Sequence, residues 1–169
     1  MIDFESLYRE YFPKVYNYIF YRLLDRDRAD DLVSDVFLRV YENLDTYDEN
    51  RGKLSTWIFT IARNALVDEL RRAKQTISLD DGRPDLPSDI DVQLGYIQSE
   101  ERKALYRQLA VLPDRERGIL AMKYFGGLTN RKIAEETHMN ESTVSSVVWN
   151  AMRKLREGLQ EYSGGGERA

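Results

Sequence analysis

Residues 129–150 read TNRKIAEETHMNESTVSSVVWN, a segment with the spacing of a helix-turn-helix. This motif needs a small residue where its two helices cross, then a tight turn, then an apolar residue on the second helix that packs back onto the first. Ala134, the turn at 138–140 and Val144 occur in this order and at the expected intervals. The segment therefore predicts two helices that meet near Ala134.

The remaining side chains of this segment fit the same arrangement. Thr129 and Asn140 are of the residue types that cap helix N-termini, and Ile133 and Val148 are apolar residues for the core. His138 occupies the first turn position, which tends to require a positive φ and is usually glycine. We therefore interpret His138 as a turn residue and not as a metal ligand.

The second predicted helix carries short polar side chains first and basic ones later. A helix of this kind can enter the major groove of DNA with its N-terminus, read base edges there, and meet phosphates with its later cations. For Trp149, packing in the core is an equal alternative to a position in the groove. The candidate DNA-contacting residues are Ser142, Thr143, Ser145, Ser146, Trp149, Asn150, Arg153 and Lys154.

The rest of the chain has helical periodicity too, with apolar residues spaced by three or four. The three N-terminal stripes are Leu7, Tyr11, Val15, Tyr18 and Ile19; Leu32, Val33, Val36, Phe37, Val40 and Leu44; and Ile58, Ile61, Ala62, Ala65, Leu66 and Leu70. Ser55 is a suitable N-cap for the third helix. Before the helix-turn-helix, one helix should end at Pro113 and another should close at Gly126. Because no convincing strand alternation occurs, we predict an all-α chain.

A segment rich in Pro, Gly and Asp separates the two helical parts of the chain. We predict an N-terminal domain over 1–75, a flexible acidic linker over 76–98, a C-terminal domain over 99–162 and a disordered tail over 163–169. The length of 169 residues suits two small domains of this kind.

Composition excludes several classes of function. The chain has no cysteine and one histidine, which argues against disulfides, thiolate or histidine-rich metal sites, thiol catalysis and most histidine-based catalysis. The N-terminus lacks the pattern of a signal peptide, and no run approaches about 18 apolar residues, so we expect no membrane insertion.

The net charge of −4 at first argues against a nucleic-acid partner, but the charge is segregated along the chain. Residues 25–49 and 76–101 each carry a net charge of −6, whereas residues 50–75 and 102–169 each carry +4. The two basic regions are therefore separate candidates for contacts with nucleic acid.

Two features of the N-terminal part add to this interpretation. Asp30, Asp31 and Asp35 superficially resemble the magnesium motif of isoprenoid synthases, but the second motif that such enzymes need is absent. The acidic helix is then either solvated or a docking site for a basic partner. The polar loop at 46–57 precedes a basic helix, which suits capture of an unstacked base, while Trp57 fits the core better than a stacking position.

Three ordered motifs resemble the bacterial RNA polymerase sigma factors, specifically the small extracytoplasmic-function group: 28–40, 55–72, and 112–117 with 124–129 and the helix-turn-helix. The resemblance implies an acidic helix on the clamp helices of core RNA polymerase, a loop and helix that capture and melt the minus-ten element, and a C-terminal domain on the minus-thirty-five element and the flap. It further implies promoter DNA and an anti-sigma factor as partners, a cytoplasmic location, no cofactor and no catalysis.

The resemblance also implies site residues. The core-polymerase contacts are Asp27, Asp30, Asp31, Ser34, Asp35 and Phe37. The minus-ten contacts are Tyr47, Asp48, Asn50, Arg51, Lys53, Arg63, Asn64 and Arg71. For the minus-thirty-five element, Arg131 joins the residues of the second helix named above. The family commonly has basic residues where this chain has Ser145, Val147, Asn150 and Met152, so we expect the C-terminal domain alone to bind DNA weakly.

Three other functions remain open at this level. A stand-alone helix-turn-helix regulator would dimerise on a palindromic site. A sigma-like helical interaction protein would bind partners without directing transcription. An enzyme using the acidic cluster is the most distant alternative, because its second motif is absent.

Overall fold

The computed structural model describes residues 1–77 and 90–165, which form eight α-helices and no strand. The all-α prediction is therefore confirmed for this part of the chain. The helices fall into an N-terminal unit, Met1–Pro87, and a C-terminal unit, Ser88–Ala169. The boundaries given above stay a prediction, and residues 78–89, the larger part of the expected linker, lie outside the described residues.

The N-terminal unit contains α1 (Phe4–Leu23), α2 (Arg26–Asn43) and α3 (Leu54–Ile77). The Asp3 and Asp25 carboxylates cap α1 and α2 by accepting the backbone N–H groups of residues 6 and 28 at 3.0 and 3.1 Å. These bonds satisfy donors that an α-helix leaves unpaired at its N-terminus.

The core of this unit matches the predicted stripes except at Leu44, Ile61 and Leu70, which are half-buried. All five predicted α1 positions are buried, as are five of the six predicted on α2. Leu44 instead lies half-buried in a 3-10 turn, Leu44–Thr46, that follows α2. Helix α3 begins one residue before Ser55, and the Trp57 N–H donates to the Lys53 carbonyl at 3.1 Å, so Ser55 lies in the first turn and the N-cap prediction is wrong.

The C-terminal unit contains α4 (Ile90–Gly95), α5 (Glu100–Val111), α6 (Asp114–Leu120), α7 (Asn130–Thr137) and α8 (Glu141–Gly165). Helix α4 lies within the range expected to be linker, where Leu94 is buried. Helix α8 continues through Gly165, so the disordered tail expected from residue 163 is helical over its first three residues. Residues 166–169 lie outside the described residues.

A π-helical turn, Ala121–Phe125, follows α6 directly and ends at Gly126. Its closing bond joins the Gly126 N–H to the Ala121 carbonyl at 2.9 Å, and Gly127 has a φ of +68°. The helix therefore ends at the two glycines, as predicted, but a π-helical turn replaces the last part of the predicted α-helix.

Candidate polymerase and DNA interfaces

The helix-turn-helix consists of α7, a turn at His138 and the first part of α8. The Thr129 hydroxyl accepts the Lys132 N–H at 3.2 Å, which confirms Thr129 as the N-cap of α7. Ala134 is 9% exposed at the crossing and Val144 is fully buried, as the spacing predicts. His138 has φ 55° and ψ 35°, so the left-handed turn position is confirmed.

The left-handed turn gives a stability prediction. Replacing His138 with valine should lower the free energy of unfolding by about 1–2 kcal/mol, because a β-branched residue is poorly accommodated at positive φ. Replacement with glycine should change it by less than about 1 kcal/mol, since glycine loses more backbone entropy on folding but carries no strain there. Thermal unfolding of both variants tests this; equal midpoints would contradict it.

The exposed face of α8 carries most of the predicted DNA contacts. Ser142, Ser146 and Arg153 are exposed, and the hydroxyl of Ser146 donates to the Ser142 carbonyl at 3.1 Å. The Ser145 hydroxyl accepts a hydrogen bond from the Asn130 amide at 3.1 Å, which links α7 to α8 on this face. Thr143 and Asn150 are half-buried at its edges.

Trp149 is 66% exposed, so its core alternative is wrong. The Arg153 guanidinium lies over its ring at 5.6 Å from the ring centre. A cation in this position restricts the ring without covering it. The tryptophan is therefore held outward on the same face as Ser142 and Ser146.

Two predicted phosphate contacts, Arg131 and Lys154, form ion pairs of different kinds. The Arg131 side chain is 81% exposed and lies 4.0 Å from Glu135 within the same helix. The Lys154 ammonium instead contacts both carboxylate oxygens of Glu116, at 2.9 and 3.1 Å, and Glu116 lies on α6.

In the N-terminal unit, α2 carries the predicted polymerase contacts. Asp27, Asp31 and Ser34 are exposed. Burial, followed by the nearby Asp30 charge, raises the pKa of Tyr16 above its usual range. The half-buried Asp35 pairs with an arginine one turn later at 2.8 Å.

Phe37 does not belong to this surface. It is 3% exposed, and its ring packs edge-on against Tyr8 of α1 at 4.9 Å and lies 5.9 Å from Phe12. Assigning Phe37 as a direct polymerase contact was therefore wrong, because α1 covers this side of α2. Two apolar residues of α2 that were not predicted to lie on its surface, Leu38 and Tyr41, are 54% and 63% exposed.

The loop between α2 and α3 is closed by its own hydrogen bonds. The Tyr47 ring lies 5.5 Å from the half-buried Trp57 ring, and the Tyr47 hydroxyl donates to the Gly52 carbonyl at 2.9 Å. The Asp48 carboxylate accepts the backbone and side-chain N–H groups of Asn50 at 2.9 and 3.0 Å. The exposed side chains of Arg51 and Lys53 complete the loop.

An open cleft of about 800 Å³ adjoins this loop. Its lining includes the Tyr47 ring, Asp48 and Asn50 from the loop, together with Tyr41 from the end of α2. The space is sufficient for a nucleotide base, and the loop side chains line one part of it.

Not all of the predicted DNA contacts on α3 lie at the surface. Asn64 and Arg71 are exposed, and Arg71 lies 3.7 Å from Asp68. Arg63 is only 8% exposed, so it lies in the interior of the unit and not on the surface that we expected. The periodicity of α3 could have shown this, since Arg63 lies three positions before the buried Leu66 and therefore next to it on the helix surface.

An ion pair connects the acidic helix to the basic helix. The Arg28 guanidinium donates through two nitrogens to one Glu69 oxygen, both at 3.3 Å, and the two side chains are 28% and 26% exposed. The sequence did not predict this contact, because the two residues are 41 positions apart and Glu69 also has a local partner, Arg72, at 3.5 Å on the same helix.

No group of three potential ligands is arranged for a metal ion in the part of the chain that the structure describes. Within the same ranges, no helix is long and apolar enough to span a membrane.

A three-helix unit with an acidic helix beside a basic one, followed by a unit with a helix-turn-helix, defines a two-domain DNA-binding regulator. The Sigma-70 region 2 family matches residues 7–76, and the Sigma-70 region 4 family matches residues 108–157. The ECF RNA polymerase sigma factor RpoE of Cereibacter sphaeroides is 32% identical over 156 residues, covering 91% of this chain and 84% of the relative. The chain belongs to the extracytoplasmic-function RNA polymerase sigma factors.

Further similarities agree with this family. SigM of Bacillus subtilis is 27% identical over 152 residues, covering 90% of this chain and 92% of the relative. The structure of the sigma factor RpoE in complex with the anti-sigma factor NepR, from Bartonella quintana, has a TM-score of 0.68 at 20% identity and covers 94% of this chain and 97% of that one. The structure of CnrH with the cytosolic domain of CnrY has a TM-score of 0.52 at 17% identity, covering 94% of this chain and 88% of that one. These two likenesses concern the fold.

Proposed function

We propose that the chain is an alternative sigma factor that binds core RNA polymerase and directs transcription from specific promoters. One observation carries this proposal: both sigma regions are present in order, each with its predicted contact helix exposed. It acts as a binding and positioning protein in the cytoplasm, with no catalytic step of its own.

The polymerase contact is the exposed acidic face of α2. Asp27, Asp30, Asp31 and Ser34 lie on this face, in a segment whose net charge is −6. Such a surface attracts a basic helix over long range and fixes its register at close range. The clamp helices of polymerase are the partner that this surface fits.

The minus-ten contact is the loop at 47–53 with the exposed side of α3. The loop is pre-organised by the Tyr47 and Asp48 hydrogen bonds, so it loses little conformational entropy when it captures a base. Arg51, Lys53 and Arg71 supply cations for the backbone of the melted strand.

The minus-thirty-five contact is the outer face of α8. Ser142, Ser146, Trp149 and Arg153 are exposed there and can reach the edges and sugars of a major groove. Only one of these four is a cation, so phosphate attraction at this face is weak. Binding to the polymerase flap would hold this unit at its site.

An anti-sigma factor is the proposed regulator. The sigma factor RpoE of Bartonella quintana has been solved with the anti-sigma factor NepR, and the present chain has a similar fold. An inhibitor that covered the exposed face of α2 or α8 would block the contacts proposed here.

Run-off transcription tests the proposed function. Core polymerase with the chain should transcribe genomic fragments from discrete start points that share paired upstream elements, whereas core polymerase alone should not. Dimerisation of the chain on a palindromic site, without polymerase, would support a stand-alone regulator instead. Binding to polymerase without new transcripts would support an interaction protein.

A further inference from the structure

Lys154 is the only residue of the predicted minus-thirty-five set, within the described residues, whose charge is paired with a carboxylate from a different helix. Its ammonium contacts both oxygens of Glu116, at 2.9 and 3.1 Å. The two residues are 38 positions apart, and the contact joins α6 to α8. The lysine side chain is 45% exposed, so its charge faces solvent on one side.

The burial of Glu116 distinguishes this pair from the others near it. Its side chain is 18% exposed, so the carboxylate is poorly hydrated if the lysine leaves. By contrast, Arg131 and Lys132 pair with Glu135 within α7, at 4.0 and 3.3 Å, and that glutamate is 57% exposed. Local exposed pairs of this kind contribute little and separate readily.

A DNA phosphate must therefore compete with Glu116 for Lys154. Both are anions that place two oxygens on one ammonium group, so they make equivalent contacts. When an unpaired lysine binds a DNA phosphate, a counterion is released from the DNA. The affinity for DNA then falls more steeply as the salt concentration rises. A lysine already neutralised by a carboxylate releases none.

We propose that Glu116 occupies the place of a DNA phosphate at Lys154 and thereby lowers the affinity of the C-terminal unit for DNA. This inference rests on the proposed function, because it takes α8 as the DNA-binding helix. It assigns Glu116 as a residue that tunes DNA affinity through Lys154, without contact to DNA itself.

The test measures binding of the full chain to a short duplex of arbitrary sequence, by fluorescence anisotropy, starting at low ionic strength. Phosphate contacts do not depend on base sequence, so the promoter need not be known. Glu116→Gln should bind about three- to tenfold more tightly at a fixed low salt concentration. The slope of log affinity against log salt should steepen by about 0.9, the value for one added phosphate contact.

Lys154→Gln separates this effect from a general change of charge. In the wild-type chain it should leave the salt slope nearly unchanged, because Lys154 releases no counterion there. In the Glu116→Gln background it should remove the added slope of about 0.9. Glu161→Gln is the matched control: this exposed α8 residue makes no ion pair in the described part of the chain, and its removal should not change the slope.

Several results would overturn the inference. One is an unchanged slope for a folded Glu116→Gln chain, and another is equal steepening by Glu161→Gln. A third is a slope lowered by about 0.9 in the single Lys154→Gln variant, which is informative even if the Glu116 variant does not fold. No polymerase is present, so these results are independent of the run-off experiment.

Discussion

Phe37→Ala is expected to lower the free energy of unfolding of the N-terminal unit by about 3–5 kcal/mol, the usual cost of removing a buried aromatic ring. Phe37 is 3% exposed and packs against Tyr8 and Phe12 of α1. A loss of this size is comparable with the whole stability of a small domain, so α1 and α2 should separate.

The two tryptophans allow this unit to be followed by itself. Trp57 lies in α3 and Trp149 lies in α8, so each unit has one fluorescent probe. In a Trp149→Phe background, urea unfolding monitored at Trp57 reports the N-terminal unit, which avoids treating a two-unit chain as one transition.

The neighbouring Leu38 is the control for Phe37. Its side chain is 54% exposed, so Leu38→Ala should change the unfolding midpoint little. If Phe37→Ala unfolds at the wild-type urea concentration but fails to bind polymerase, then Phe37 is a contact residue after all and the packing argument is wrong.

The double variant Asp30→Ala, Asp31→Ala is expected to weaken association with core polymerase by at least about 100-fold, since truncating each charge of a desolvated interface pair costs about 2–5 kcal/mol. Asp31 is exposed, and the Asp30 side chain is 52% exposed. Binding of labelled chain to core polymerase, followed by fluorescence, measures the loss. Circular dichroism should remain that of the wild type.

A matched pair of acids on α1 serves as the control for charge alone. Glu5 and Glu10 are exposed and form pairs with Arg9 and Lys14, one turn away, at 2.6 and 3.5 Å. Their double replacement by alanine removes the same net charge and should leave association within about threefold, since surface pairs contribute little. An equal loss from both double variants would show that overall charge, and not the α2 face, governs binding.

Asp30 also contributes inside the unit, so the two aspartates should be tested singly. Burial raises the pKa of the Tyr16 phenol, and the negative charge of Asp30 adds to this effect. Asp30→Ala should therefore lower the pKa of Tyr16 towards its ordinary value, which an ultraviolet titration detects. Asp31→Ala should leave the Tyr16 titration closer to that of the wild type and act on polymerase binding alone.

The helix-turn-helix was predictable in detail because its constraints are local. A small residue at the crossing, a cap and a left-handed turn are each set by neighbours within a few positions. The positions of Thr129, Ala134, His138 and Val144 all match the structure for this reason.

The sequence does not predict in the same way which side of a helix a neighbouring helix covers. Phe37 lies at the border between the apolar and acidic faces of α2, and only the position of α1 places it inside. Trp149 instead lies on the surface, because none of the described helices of its unit covers it. Periodicity gives the direction of a side chain but not the neighbour that meets it.

The pair between Arg28 and Glu69 fixes more than stability. Because it crosses from α2 to α3 with both groups largely withdrawn from solvent, it opposes rotation of either helix about its own axis. The side chains proposed to contact polymerase and those proposed to contact the melted strand are therefore held in a fixed orientation relative to each other. Substitution of surface side chains can change the promoter preference of this chain. A rotation of α3, however, would also reorient the α2 surface that docks on polymerase.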